Sequence, residues 1–528
     1  EVIQRWIAGG NSTNVFAGDA DPFLGVPQLG DPRTFRFHDG AAVTRVDLDA
    51  GSPHPGARPF SQVEWGAYLF VPSLAALGKL AAAAPQTPSD AVARGEQIIK
   101  TLLYLESLPG ADIPRIRDAW KAYLEDLGSK EKGYNSAIWA ALREKFGGAL
   151  WTPYGVLVAN PKMVDFVFTN KDLYSVEGHA GGAEPVEGYL HRSRDTIGEI
   201  YLGLDDTGPG SEYQRRSKET NEELMRLTGD EAFVLARDAT VKHLKGLLAL
   251  NGGKEVTLDL RTMLSDPVLA AVCRAWFDLP DGKYVVDGGW NWQSGHTPCC
   301  PGDFTSPSRY IFQPNPAKQV GDYAKAQGRA LHEAVRQFAG AMKGKVSGKL
   351  SKALFRIIPD DDDRLASTLI GVMMGFLPTV DGNFRSTLLQ WLADGTLWRL
   401  QADLRAAPGP IDFARAQSVL LGALKAGMQK RPVPDIVWRT AKVKHDLGPV
   451  AVHPGDKLAI GIVSSTQDRL AAGKLDVYPV FGGKRGPDGP THACPAYEAG
   501  MGVLLGMVSG LLEAGTLRPT PVTLTGPL

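Results

Sequence analysis

The stretch Gly489-Pro490-Thr491-His492-Ala493-Cys494-Pro495-Ala496-Tyr497-Glu498-Ala499-Gly500-Met501-Gly502 runs directly into the apolar segment Val503 to Leu512. A cysteine thus lies in a Gly/Pro-rich loop just ahead of a predicted helix. Backbone N–H groups and the dipole at a helix N-terminus favour thiolate over thiol. A thiolate is the soft donor that iron accepts. A lone cysteine in such a place is more often a small core residue, so the rest of the chain has to decide.

The chain has 528 residues, more than one ordinary domain and enough for a large shared core. A hydrophobic fraction of 43% and a charged fraction of 22% are those of a soluble globular protein, and no membrane span is expected. With 57 basic and 58 acidic side chains and no long run of either sign, no nucleic-acid or anionic-membrane footprint exists. The four cysteines, Cys273, Cys299, Cys300 and Cys494, suit neither a disulfide framework nor a paired zinc motif, and a reducing cytoplasm fits them best. His296 beside Cys299 and Cys300 matches no standard metal spacing and reads as a loop cluster. Glu1 rather than Met opens the sequence, so native residues upstream are expected.

Composition changes near residue 130. Residues 1–130 read as a smaller mixed segment. Turn signals such as Gly9-Gly10-Asn11 and Asp39-Gly40 come first, and then two helices between Ala91 and Leu127, interrupted at Pro109 and Pro114. The polar stretch 128–133 reads as a linker. Residues 131–528 read as a large helical unit: a helix from Ala137 to Phe146, a hairpin from Trp151 to Val158, a turn at Asn160-Pro161 and a helix starting near Val164. Helical periodicity then dominates in Asp230–Leu250, Val320–Met342, Asp363–Ala393 and Phe413–Lys430, and short strands return after Pro432. The fold class is mainly α with minor β (α+β). The motifs at 5–13 and 21–27 resemble no family.

The His-x-Cys loop and its apolar helix with Ala499 and Gly502 resemble the haem-thiolate loop of cytochromes P450, and further segments are similar to that family in the same order. Pro432-Val433-Pro434-Asp435-Ile436-Val437-Trp438-Arg439 is similar to the turn and strand after the family's K helix. His453-Pro454-Gly455-Asp456 with Leu458-Ala459-Ile460-Gly461 resembles its next hairpin. Leu202 to Asp205 with Glu212-Tyr213-Gln214-Arg215-Arg216 resembles the entrance to its C helix. The resemblance implies haem b on Cys494, with His492, Arg439 and one of Arg215 or Arg216 on the propionates. The family's Phe and two Gly around the cysteine correspond to Pro487, Pro490 and Ala496. Phe481-Gly482-Gly483 is expected to supply the displaced aromatic cover.

Two departures bear on function. Lys425 and Met428 stand where the family's K helix carries a Glu/Arg pair, which points to an apolar contact in its place. In the family's I helix an acid followed by Thr relays protons to dioxygen; the matching stretch is Gly371 to Phe384. There Leu377 and Pro378 fall at the acid and alcohol positions, or Thr379 at the alcohol position after a slip of one. Thr379 and Asp381 are the candidate catalytic residues, although a helix hydroxyl bonded to its own backbone is an equal reading of Thr379. Met374, Phe376 and Leu377 are candidate walls of a pocket for a lipophilic small molecule.

The resemblance implies a monooxygenase served by a ferredoxin or reductase electron donor. The poor distal equipment points instead to a peroxygenase, or to a hydroperoxide-rearranging enzyme needing no electron partner. Loss of two hallmark pairs also leaves a non-catalytic haem-binding partner protein in play.

Overall fold

The computed structural model describes residues 33–38, 43–48, 88–126, 129–130, 132–178, 187–253, 256–278, 304–316, 318–406, 411–518 and 523–525. His296, Cys299, Cys300, the motifs at 5–13 and 21–27 and the turn at 39–40 lie outside them.

In chain order the elements are β1 (Arg33–His38), β2 (Val43–Leu48), α1 (Pro88–Ser107), α2 (Ile113–Glu125), α3 (Tyr134–Lys145), β3 (Ala149–Thr152), β4 (Gly155–Val158), α4 (Pro161–Thr169), β5 (Tyr174–Ser175) and α5 (Tyr189–Arg194). Then come α6 (Glu212–Met225), α7 (Gly229–Leu250), β6 (Val256–Thr257), α8 (Asp266–Phe277), α9 (Thr305–Phe312), α10 (Lys318–Met342), α11 (Lys349–Ile357), α12 (Asp362–Asp394), α13 (Thr396–Ala406) and α14 (Phe413–Lys430). The C-terminal part adds β7 (Ile436–Ala441), β8 (His445–Leu447), β9 (Val450–Val452), β10 (Lys457–Gly461), α15 (Ile462–Ala471), α16 (Tyr497–Ala514), β11 (Thr516–Arg518) and β12 (Thr523–Thr525).

The predicted class, mainly α with minor β, is the observed one. Helix starts follow local chemistry. Asn160-Pro161, expected as a turn, is a helix start: the Asn160 side chain accepts from the Lys162 N–H, and Pro161 needs no donor in the first turn. Asp112 caps α2 in the same way ahead of Pro114. Packing is continuous across residue 130. Ile99 and Leu102 of α1 and Trp120 and Leu124 of α2 are buried in one cluster with Trp139 of α3, Leu157 of β4 and Ala459 of β10.

The main sheet has the order β3-β4-β10-β7-β5, antiparallel except for the parallel pair β4/β10. Its register places Arg439 opposite Leu458 and Trp438 opposite Ala459. Helix α12 crosses the main core. It alone among the described helices is long and apolar enough to cross a membrane, but 72% of its apolar window is buried inside the protein.

Helices α7 and α16 lie backbone to backbone along much of their length. A side chain built on Gly502 would lie 2.2 Å from the Gly229 carbonyl oxygen, one on Gly506 would lie 2.4 Å from that of Phe233, and one on Gly510 would lie 2.8 Å from that of Arg237. Glycine every fourth residue gives α16 a bare face, and α7 lies directly on it. Gly506→Val is therefore expected to cost at least about 2 kcal/mol of unfolding free energy, because neither backbone can retreat in a packed core. Gly246→Ala on the open side of α7, where an added carbon meets nothing within 4 Å, serves as control and should be neutral or slightly stabilising. Denaturant titration of the two variants checks both.

Candidate functional site

The cysteine loop is tied from two sides. The Cys494 N–H donates to the Phe481 carbonyl at 2.8 Å, and Arg485 Nη1 donates to the Ala493 carbonyl at 2.8 Å. The Ala496 N–H, at the start of α16, points to the sulfur. Burial pushes the Cys494 thiol up from its usual pKa, against the pull of the Ala496 N–H and the Arg485 charge. A metal on the sulfur would reverse that balance, since a coordinating thiol gives up its proton outright.

The expected aromatic cover lies beside this loop. The Phe481 ring meets Tyr497 edge-on at 4.8 Å, and Tyr478 lies 4.8 Å from Tyr497 on its other side. Gly483 has φ +108°, and a side chain there would lie 2.5 Å from Pro490. Only glycine lets residues 481–483 fold back against the cysteine loop.

His492 is half-buried, with Tyr213 packed edge-on at 4.7 Å. Its Nδ1 is enclosed without a hydrogen-bond partner. Burial, with the Arg439 charge next in weight, lowers its pKa to about 3, so the imidazole is neutral at neutral pH. Arg439 Nη1 donates to Tyr189 Oη at 3.1 Å and to the Trp438 carbonyl at 2.8 Å, which holds the guanidinium toward His492.

Helix α6 offers the site a different residue from the two expected. Arg215 is on the surface, bonded to Glu212 at 2.6 Å, and Arg216 is buried against Glu199, donating to its carbonyl at 2.7 Å. Tyr213 is the α6 residue that reaches the loop, donating to the Thr491 carbonyl at 2.9 Å. Arg439 and Arg485 are the cations that face His492. The sequence reading missed Tyr213, which sits inside the same quoted stretch, and Arg485, whose only signal was its place in the loop before the cysteine.

Helix α12 has an open, exposed stretch at Gly375. A side chain on Gly371 would touch Ile200 at 3.1 Å and one on Gly382 would touch Val433 at 2.7 Å, whereas one on Gly375 would meet nothing within 4 Å. Pro378 and Thr379 follow Gly375 on this stretch and are half-buried. Thr379 Oγ1 donates to the Gly375 carbonyl at 2.5 Å. Met374 and Leu377 are buried in the core, and the Phe376 ring lies 5.3 Å from Trp276 of α8.

Asp381 points to another neighbour. Oδ1 accepts from Ser265 Oγ at 2.5 Å and Arg385 Nε at 2.7 Å, and Oδ2 accepts from Arg385 Nη2 at 2.6 Å. Arg261 and Asp266, 3.3 Å apart, complete a buried four-charge group between α12 and the start of α8. At the K-helix positions of α14, Met428 is fully buried and Lys425 half-buried.

The donor set suits a flat, iron-bearing group with acidic arms: one thiol for the metal, and an unpartnered imidazole nitrogen beside an arginine for a carboxylate. No family model and no curated protein matches the chain. Solved structures do. A cytochrome P450 named CYP102L1 aligns at TM-score 0.50 and 14% identity over 74% of this chain and 98% of its own. P450 RauA, solved with a biosynthetic intermediate of aurachin RE, aligns at TM-score 0.50 and 15% identity over 74% of this chain and 94% of its own. The haem domain of a Tepidiphilus thermophilus P450 aligns at TM-score 0.50 and 12% identity over 77% and 93%. The chain has the fold of cytochromes P450.

The buried group at α12 has a consequence for stability. Burial pushes the Asp266 carboxyl up to about 7, while Arg385 holds Asp381 below its ordinary value despite burial. An unfolded aspartate loses its proton near 3.9, so between about 4 and 7 the folded state binds the extra proton. The Asp266 contribution is therefore fully present below that window and is lost as pH rises through 7. Denaturant midpoints should fall from about pH 5 to pH 7, and Asp266→Asn should flatten the slope. A rising slope in the unsubstituted protein would contradict the assignment.

Proposed function

We propose that the protein is a haem-thiolate oxidoreductase acting on an apolar small molecule, with haem b on Cys494. The observation that carries this reading is the enclosed, unpartnered Nδ1 of His492, two residues from a half-buried cysteine whose sulfur receives a backbone N–H. A buried polar atom left unpaired costs about 1–3 kcal/mol, and a propionate would satisfy it. Bound at this site, haem supplies the one-electron and oxygen chemistry that side chains lack.

The chain's own residues bind and orient. Cys494 holds the metal, with the Ala496 N–H and Arg485 easing the negative charge on sulfur. His492 donates from Nδ1 to a propionate, and Arg439 adds a fixed cation. The strip Gly375, Pro378 and Thr379 carries no charge and favours an apolar substrate. In a dioxygen-dependent monooxygenase Thr379 would move the proton, and a ferredoxin or reductase would supply electrons.

A peroxide-driven reaction has its own support. The Thr379 hydroxyl is spent on the Gly375 carbonyl, Pro378 has no N–H, and both Asp381 oxygens are held by Arg385 and Ser265. Hydrogen peroxide or an organic hydroperoxide already carries the two electrons and the proton that dioxygen would have to be given, its O–O bond intact and ready to be cleaved, so neither the acid-alcohol pair nor an electron partner is needed.

The reduced carbonyl complex of the purified protein should show the red-shifted Soret band of thiolate ligation, and Cys494→Ser should abolish it; survival of the band in that variant would falsify the ligand. Turnover of apolar substrates is then assayed with dioxygen plus a surrogate reductase, and anaerobically with peroxide or fatty-acid hydroperoxide. If dioxygen is used, Thr379→Ala should reduce product per electron about a hundredfold, the usual weight of a lost proton donor. Anaerobic turnover indifferent to Thr379→Ala selects the peroxide reaction. A fully haem-loaded protein inactive in both arms would be a non-catalytic haem carrier.

A further inference from the structure

Gln429, at the end of α14, is fully buried. Its Nε2 donates to the Thr466 carbonyl at 3.2 Å and to the Lys474 carbonyl at 2.9 Å, while Thr466 Oγ1 donates back to the Gln429 carbonyl at 2.9 Å. Its Oε1 has no partner. The side chain is thus held for its donors, and both donors are spent on backbone of α15 and the turn after it.

That backbone leads to the cysteine. After Lys474, the Asp476 side chain accepts the Tyr478 N–H at 3.0 Å and sets the turn Tyr478–Phe481. The Phe481 carbonyl then receives the Cys494 N–H. On its other side α14 is fastened to the distal helix: Gln390 Nε2 donates to the Gly427 carbonyl at 3.0 Å, and a side chain on Gly427 would lie 2.6 Å from Thr387. A chain of contacts therefore joins α12, at Thr387 and Gln390, to the loop that carries the sulfur, through α14 and the Asp476 carboxylate, which is itself paired with Arg469.

We infer that Gln429 is the positioning residue of the Cys494 loop, its carboxamide fixing through two backbone carbonyls the segment that delivers the Phe481 carbonyl to the Cys494 N–H. This rests on the haem-thiolate reading. A neutral amide avoids the desolvation that a buried ion pair at this depth would carry.

The test is spectroscopic and needs no turnover. Gln429→Met keeps the volume and removes both donors. Gln429→Glu keeps the shape and, when ionised, faces two carbonyls with no donor to offer. In the reduced carbonyl complex of the haem-loaded full chain, the ratio of red-shifted to unshifted Soret band should fall about tenfold in each, the size of one to two ordinary hydrogen bonds. Far-ultraviolet circular dichroism on the same samples separates this from unfolding, and if the Met variant fails to fold, the Glu variant alone decides. A normal wild-type band that the folded variants retain at the wild-type ratio overturns the role of Gln429 only. A haem-loaded wild-type chain with no red-shifted band overturns the thiolate reading and this inference with it.

Discussion

The backbone contact between α7 and α16 is the constraint on which the candidate site depends. Gly502, Gly506 and Gly510 bring carbonyls of α7 to within what would be side-chain distance of α16. Such contacts fix a helix along and around its axis, because any slide drives a carbonyl into a neighbouring residue. The N-terminus of α16 is where the Ala496 N–H meets the Cys494 sulfur. The position of the sulfur is therefore inherited from helix packing some turns away, and the loop itself only has to reach it. The fourth-residue spacing of these glycines is visible in the sequence.

Polar groups at the site divide into those that are satisfied and those that are not. Tyr213, Arg439 and Arg485 spend donors on backbone carbonyls or on Tyr189, and Asp381 is fully occupied by Arg385 and Ser265. His492 Nδ1 stands out because it is buried and unpartnered beside a cation. Folded chains seldom bury such an atom without giving it something to bond. On α12, Thr379 answers its own helix, as a Ser or Thr in a helix does when no better acceptor is offered. The cysteine loop thus holds an unmet polar atom, while this stretch of α12 carries no charge.

One residue on from Met428, α14 carries a polar tie to its neighbours. Gln429 crosses to Thr466 and Lys474, and Gln390 ties the same helix to α12. The sequence reading expected an apolar contact at Lys425 and Met428, and Met428 is fully buried. A helix turns about 100° per residue, so Gln429, one position on, meets a different set of neighbours.

Much was determined by the sequence alone. The 3.6-residue periodicity placed α7, α12 and α14 within a residue or two of their observed ends, and the Gly/Pro-rich loop before an apolar run marked Cys494 and His492. These are local signals, carried by residues close together in the chain. The tertiary structure decided which residues face each other. It set Arg439 and Arg485 toward His492, put Tyr213 against the same ring, brought Ser265 to Asp381, and left α12 open at Gly375. The Asp381–Arg385 pair spans one turn of a single helix and is a local pattern; the other placements depend on how far a helix is rotated when it packs, and that rotation is fixed by contacts between segments distant in the chain.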